Sequence, residues 1–517
     1  MLKTRSAQVG LFDAAVVMGP LPEGSFFALL AEHGDRIVRD SDFVECYAER
    51  MGRPSIPPSL LAKVLLLQHR TGVSDEQAME CVGWDLRWKV ALGLAVDHHG
   101  WHPTSLTKFR ARLLLHKKEG LALENTLRLA AELGLLDGRV EQIVDSTPML
   151  GAAATQDTVR LVRFGVRKLI DAVVSLDPDA GEALTAGLEF DYQRPGEKPD
   201  CQWRVKAERE RMLTRVAQDA QRALQAVEQA EGLLDDEPVK EAYELLLDLV
   251  GQDFDVDPDG VPRLHRGTRP GRIISTIDPE MQHGRKSSQT RFDGYKLSAA
   301  VSNSSEPLIM TVHVAPGGES DGPQAKHLID QQPPERRPDR ILGDTAYGNG
   351  VVRSELAERN VEVLAPVPEG TVVEDRVGKR EFTIDPAAGT VSCPAGHTAT
   401  ITTSPKGVRT ARLPRSVCGG CPLKDQCCPG RPSRQIALGE HEELMIAARR
   451  ALNDPVTAAH LRHTRPRIER LLGVLAHRYG ARKSRYIGSD KARLQASWAA
   501  ALVNLNPIDR HLAIETG

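Results

Sequence analysis

The sequence predicts an α/β protein with a mixed-sheet core, a helical region before it, and two insertions within it, one helical and one rich in cysteine. Three observations carry that prediction. Short aliphatic and β-branched runs end in an aspartate beside proline or glycine at Val140–Asp145 and Arg340–Asp344. Apolar residues recur at three- and four-residue spacing before the first run and again after it. Five of the eight cysteines fall between Cys393 and Cys428. The expected units are an N-terminal helical region over residues 1–130 and a core over 138–517. The core is interrupted by a helical insertion and linker over 158–270 and by the cysteine-rich insertion over 375–435.

In chain order, Pro57-Pro58-Ser59 precedes an apolar helix through Leu60, Leu61, Val64, Leu65 and Leu67. Ser74-Asp75-Glu76-Gln77 has the form of a capping box opening the next helix. A third helix begins near Thr104-Ser105 and combines Leu106, Phe109, Leu113 and Leu114 with Lys108, Arg110, Arg112, Lys117 and Lys118. Its basic face suits either a nucleic-acid backbone or solvent. Val140-Glu141-Gln142-Ile143-Val144 then reads as a strand stopping at Asp145-Ser146-Thr147-Pro148, since proline cannot continue a ladder. From Val205 through Met212, Val216, Ala220, Ala223, Val227 and Leu234 the spacing predicts a long helix. Its partner is either a helix over Val239 to Val250 or another subunit, the intramolecular hairpin being the expected arrangement, and Asp253 to Pro270 is expected to be a linker.

Arg340-Ile341-Leu342-Gly343-Asp344 predicts a brief buried strand ending in a carboxylate, with Gly348 and Gly350 marking the following loop. Cys418-x2-Cys421-x5-Cys427, preceded by Cys393-Pro394-Ala395-Gly396-His397, has the spacing of a structural zinc site. The expected ligands are Cys393, Cys418, Cys421 and Cys427, with His397 or Cys428 able to replace one. Arg465 to Leu475 predicts a helix with an apolar stripe at Ile468, Leu471, Leu472 and Leu475, so that Arg465 and Glu469 share a face.

Asp145, Asp344 and Glu469 stand where carboxylates from two strands and one helix would meet at one sheet edge. Magnesium takes hard oxygen ligands, and two such ions can hold the attacking and leaving oxygens of a phosphoryl displacement. Any single aspartate after a strand is more ordinarily a turn or cap residue. The formal charge of −3 does not by itself point to nucleic acid. Its distribution says more, because ten Lys or Arg lie between Arg462 and Arg493 against Glu469 and Asp490. Neither a signal pattern nor an apolar run near the ~20 residues of a membrane helix is found, and a cytoplasmic protein is expected.

The combination Asp145-Ser146-Thr147, Gly343-Asp344-Thr345-Ala346-Tyr347 and Arg465-x3-Glu469 resembles the DDE transposases of bacterial insertion sequences, in the branch with a Tyr-x2-Arg-x3-Glu-x6-Lys signature. Phe292-Asp293-Gly294-Tyr295-Lys296-Leu297 is similar to that family's Gly-Tyr-Lys strand, and Gly480 to Gly488 to the basic loop after its glutamate helix. A helix with Lys491, Gln495 and Asn504-Leu505 closes the domain in the same style. Arg462 stands where the signature has tyrosine, and Ala476, beside His477, where it has lysine. The resemblance runs roughly from Pro57 to Pro507 and includes a cysteine-rich insertion of the kind related transposases carry.

The resemblance implies an RNase H-like catalytic domain and an N-terminal region that binds terminal inverted repeats. It implies Asp145, Asp344 and Glu469 as catalytic ligands of two Mg2+ ions, with Mn2+ able to substitute. Contacts to DNA are expected from Arg465, Tyr347, Arg482, Lys483, Arg485 and Lys491, and from Lys108, Arg110 and Arg112 in the helical region. The implied partners are element-end and target DNA, with a dimer on DNA because two ends must be brought together. The implied activity is metal-dependent cleavage at element ends followed by strand transfer. Two alternatives stand beside it: a non-catalytic DNA-binding regulator derived from a transposase, and an RNase H-like nuclease without strand transfer.

Overall fold

A computed structural model describes residues 1–5, 10–48, 52–136, 140–287, 289–369 and 376–516. The expected unit boundaries at 138, 375 and 517 lie outside the described residues. Six strands form the central sheet: β1 (Gln142–Leu150), β2 (Gln282–Arg285), β3 (Arg291–Ser302), β4 (Ile309–Pro316), β5 (Arg340–Leu342) and β6 (Glu362–Leu364). β3 runs antiparallel to β1, and on its other side it pairs first with β2 and then with β4. β5 and β6 continue the sheet beyond β1 in parallel. This mixed sheet is consistent with the RNase H-like core expected from the sequence.

Side chains alternate across the sheet as the two-residue period of a strand requires. Ile143, Met149, Leu297, Ala299 and Val301 face one core, while Val144, Ala300 and Ile341 face another beneath the Gln324–Asp330 and Gly350–Ala357 helices. The first core also takes in Leu61, Val64, Leu65, Phe109 and Leu127 from the N-terminal helices, and Trp498, Leu502 and Leu505 from the closing helix Ser489–Thr516. The helical region thus shares a hydrophobic core with the sheet. Asn504 ties the three parts together: it accepts from Ile309 N–H at 2.8 Å, donates to the Ile309 carbonyl at 2.9 Å, and reaches the Thr126 hydroxyl at 3.4 Å.

The helices expected after Pro57 and Ser74 are Pro58–Thr71 and Asp75–Trp84, and Ser74 and Gln77 form the reciprocal capping box. Lys206–Gln229 and Glu237–Asp253 make the expected hairpin, packed with Thr158–Leu176 around Val216, Ala220, Ala223 and Val227. The segment expected to be a linker contains a small two-stranded ribbon, Phe254–Val256 with Pro262–Leu264. The cysteine-rich insertion is built on a five-stranded antiparallel sheet running from Thr383 to Leu438. No described helix is long and apolar enough to cross a membrane.

Candidate active site

Asp145 lies within β1, opposite Ala299 of β3. On its other flank the parallel ladder joins only Gln142 to Ile341 and Ile143 to Leu342. Counting two residues past Ile143 and two past Leu342 reaches Asp145 and Asp344, so both aspartates stand at the same level where the ladder opens. The strand expected to end at Asp145 instead continues through Pro148 to Leu150. Leu150 N–H donates outward to the Arg482 carbonyl, and strand alternation places the Pro148 nitrogen on that same unladdered flank, where the missing N–H costs no strand pairing.

Asp344 follows β5 as expected. It also caps the short turn Thr345–Tyr347, accepting from Ala346 N–H at 2.8 Å. Glu469 stands on the helix Pro466–Gly473, whose buried Ile468 and Leu472 anchor it to the first core. A π-helical turn, Val474–Arg478, follows it. Pro466 opens the helix, with Arg465 at its N-cap in helical geometry. Glu469 is therefore one turn beyond Arg465 and on the same face.

The Arg465 guanidinium gathers all three carboxylates. Its Nη2 lies 3.6 Å from Asp145 Oδ2, 4.0 Å from Asp344 Oδ2 and 3.9 Å from Glu469 Oε1. All four residues line one open cavity. Three hard-oxygen donors converging on one positive group have the chemistry a divalent cation needs. Their spacing, however, is that of neighbours of a guanidinium. Among the described residues no group of three or more His, Cys, Asp or Glu side chains lies close enough to hold a metal ion.

Burial pushes the Asp145 carboxyl up to about 6; the Ser146 N–H and Arg465 oppose the shift, and nearby Asp344 and Asp321 add to it. Asp321 is a fourth carboxylate of this cavity, missed by sequence reasoning. It accepts from the Ser146 hydroxyl at 2.7 Å and pairs with Lys296 Nζ at 3.0 Å. Its setting, Gly317-Gly318-Glu319-Ser320-Asp321-Gly322, reads as an ordinary turn. Arg285, Lys286 and His477 also line the cavity.

The residues expected to touch DNA differ in exposure. Lys108, Arg112, Lys483, Arg485 and Lys491 are exposed. Arg482 is half-buried and donates to the Pro148 carbonyl at 3.0 Å, fixing the basic loop beside β1. Gln495 holds the same loop from below, accepting from Arg485 N–H and donating to the Gly480 and Lys483 carbonyls. Two expectations are corrected. Tyr347 is fully buried and has no ring face to offer a base; its unpartnered hydroxyl lies within the electrostatic reach of Asp321, Asp145 and Asp344. Arg110 is buried in a bidentate pair with Asp75, at 2.5 and 3.0 Å, and serves the fold.

The zinc expectation is not supported either. Cys393, Cys418, Cys421, Cys427 and Cys428 line one small cavity with His397, yet no three of them meet the spacing of ligands to an ion. All eight cysteines are free thiols. With no metal bound, burial pushes the Cys427 thiol up to about 11 and also raises Cys428.

Two family models match the chain. Residues 17–112 match a transposase domain (DUF772), and residues 251–505 match the transposase DDE domain. The second match includes Asp344 and Glu469, whereas Asp145 precedes it. Neither a curated protein nor a solved structure matches. Together the two domain matches support a transposase of the DDE type, a class that acts on DNA and generally uses divalent ions such as Mg2+.

Proposed function

Starting from these transposase-domain matches, we propose that the protein is a DNA transposase that cuts at the ends of an insertion sequence and joins the freed end to target DNA. The observation that carries the reading is the convergence of Asp145, Asp344 and Glu469 on Arg465 at 3.6–4.0 Å, from positions far apart in the chain. Asp145, Asp344 and Glu469 would hold the divalent cations that the DDE class uses, two Mg2+ or Mn2+ in the complete site. Such ions, when bound, supply Lewis acidity and lower the pKa of a bound water.

The chain's own groups do the remaining work. The β1 and β5 backbones fix the two aspartates side by side, and the anchored helix presents the glutamate. Arg465 balances the carboxylates and stands ready to bond a phosphate oxygen. Lys296 neutralises Asp321 next to the cavity. In the first reaction water attacks the phosphorus, the bond to the 3′-oxygen breaks, and a free 3′-hydroxyl and a 5′-phosphate result. In the second, that hydroxyl attacks a target phosphodiester, a new P–O bond replaces the one broken, and the displaced target strand leaves with its own 3′-hydroxyl. Lys483, Arg485 and Lys491 neutralise backbone charge along the exposed basic surface. A dimer on DNA brings two ends together.

The test is incubation of purified protein with a labelled duplex carrying the DNA that flanks its gene, in Mg2+ or Mn2+. Cleavage and joined products are expected from the wild type and neither from Asp344→Ala. Cleavage without joining would identify a nuclease, and binding without cleavage a DNA-binding regulator.

A further inference from the structure

The cavity of the three carboxylates is bordered by the hairpin formed by β2 and β3, whose outer end lies beyond the Gly294-Tyr295-Lys296 motif. Its base is fixed by glycines. A Cβ on Gly284 would collide with the Phe292 ring and the Gly317 carbonyl, and Gly294, at φ +142°, lies against the backbone of Met149 and Gly151. The hairpin base is therefore packed closely against the end of β1 at Met149, Leu150 and Gly151. Its outer end carries Arg285, Lys286 and Arg291, all exposed. Arg285 and Lys286 line the carboxylate cavity.

The register makes this arrangement costly for the protein alone. Arg285 stands directly opposite Arg291, and like charges facing each other across a ladder are destabilising. Two residues along, the facing pair is His283 and Asp293, joined at 2.6 Å, so the neighbouring acid already has a partner. Among the described residues no carboxylate pairs with Arg285, Lys286 or Arg291. A polyanion entering the cavity would supply the missing countercharge.

We infer that the β2–β3 hairpin grips the phosphodiester backbone of the DNA strand entering the carboxylate cavity, through Arg285, Lys286 and Arg291. The inference rests on the transposase reading and assigns a substrate-holding surface within it. For every phosphate that is no longer neutralised, the dependence of log binding constant on log salt should become shallower by about 0.9. The experiment is fluorescence anisotropy of a labelled duplex of the gene's flanking DNA across a salt series, with the full chain and its Arg285→Gln/Lys286→Gln/Arg291→Gln variant.

The salt slope of the variant should be shallower by about two to three, while its melting temperature holds or rises. A charge-keeping Arg285→Lys/Arg291→Lys variant should retain the wild-type slope. Wild-type slope and affinity in the Gln variant would overturn the inference and leave the transposase reading intact. Failure of the wild type itself to bind the duplex would remove the transposase reading, and this inference with it.

Discussion

The carboxylate cavity and the cysteine cavity are opposites in sequence and in space. Asp145, Asp344 and Glu469 are scattered along the chain, yet all three reach one guanidinium at 3.6–4.0 Å. Five cysteines are crowded between Cys393 and Cys428 and line a common cavity with no shared cation at its centre, and among the described residues neither they nor the three carboxylates stand at the spacing of ligands to an ion. Close spacing in a chain places residues in one module. Convergence of side chains comes from strand register and helix anchoring, as where the β1–β5 ladder opens beside Asp145 and Asp344.

The sharpest way to break this comparison is through the electrostatic cost of the carboxylate cavity. Asp145 has a folded pKa of about 6 against an ordinary value of 3.8. A carboxyl raised in this way binds its proton more tightly in the native state. The native state is therefore penalised progressively as pH rises from about 4 through about 6, and fully at pH 7. A carboxyl moved from 3.8 to about 6 costs the native state at most ~3 kcal/mol. Asp145→Asn should raise stability to urea by up to that amount at pH 7, with the gain disappearing by about pH 4. An equal or lower stability at pH 7 would show that the site carries no such strain.

A smaller effect is expected at Arg465. Its guanidinium is about one-third exposed, so its pairs should contribute only about 1 kcal/mol after solvent screening. Arg465→Ala should lose about that much, and added Mg2+ should stabilise the variant more than the wild type by relieving carboxylate repulsion. Equal responses to Mg2+ would separate Arg465 from the cation site proposed for the three carboxylates. The smallest effect should come from the cysteine cavity. Cys427→Ser should cost about 1 kcal/mol or less, with a melting curve unaffected by chelator, as expected for a half-buried neutral thiol. A collapse of the insertion on chelation would restore the metal-site expectation.

Much of the fold was legible because local chemistry and tertiary structure agree. The capping box at Ser74, the alanine-rich seam of Lys206–Gln229 and the short strand before Asp344 each carry their own periodicity or cap. The extent of β1 was not legible. Pro148 is an ordinary strand terminator, and only the absence of a ladder partner on its outward flank lets the strand continue. The helical insertion also separates β1 from the rest of the sheet, and the transposase DDE match accordingly begins at residue 251, after Asp145.

Within the site, residue type pointed to the three carboxylates. Burial, which sequence pattern does not reveal, removed Tyr347 and Arg110 from the DNA surface. Asp321, Arg285 and Lys286 were missed because a Gly-rich turn and a charged hairpin end are common on any surface. Their meaning comes from the cavity they share.

The most direct test of the central claim concerns Asp145, because it lies outside both family matches and joins the other carboxylates only in space. Cleavage of the flanking-DNA duplex in Mg2+ should be compared between the wild type and Asp145→Asn, with duplex affinity measured alongside. Removing a carboxylate with the metal-holding role proposed for Asp145 should cost several kcal/mol in the transition state, so cleavage should fall by at least about 10³-fold while affinity is retained. Wild-type cleavage by Asp145→Asn would contradict the account and remove β1 from the active site.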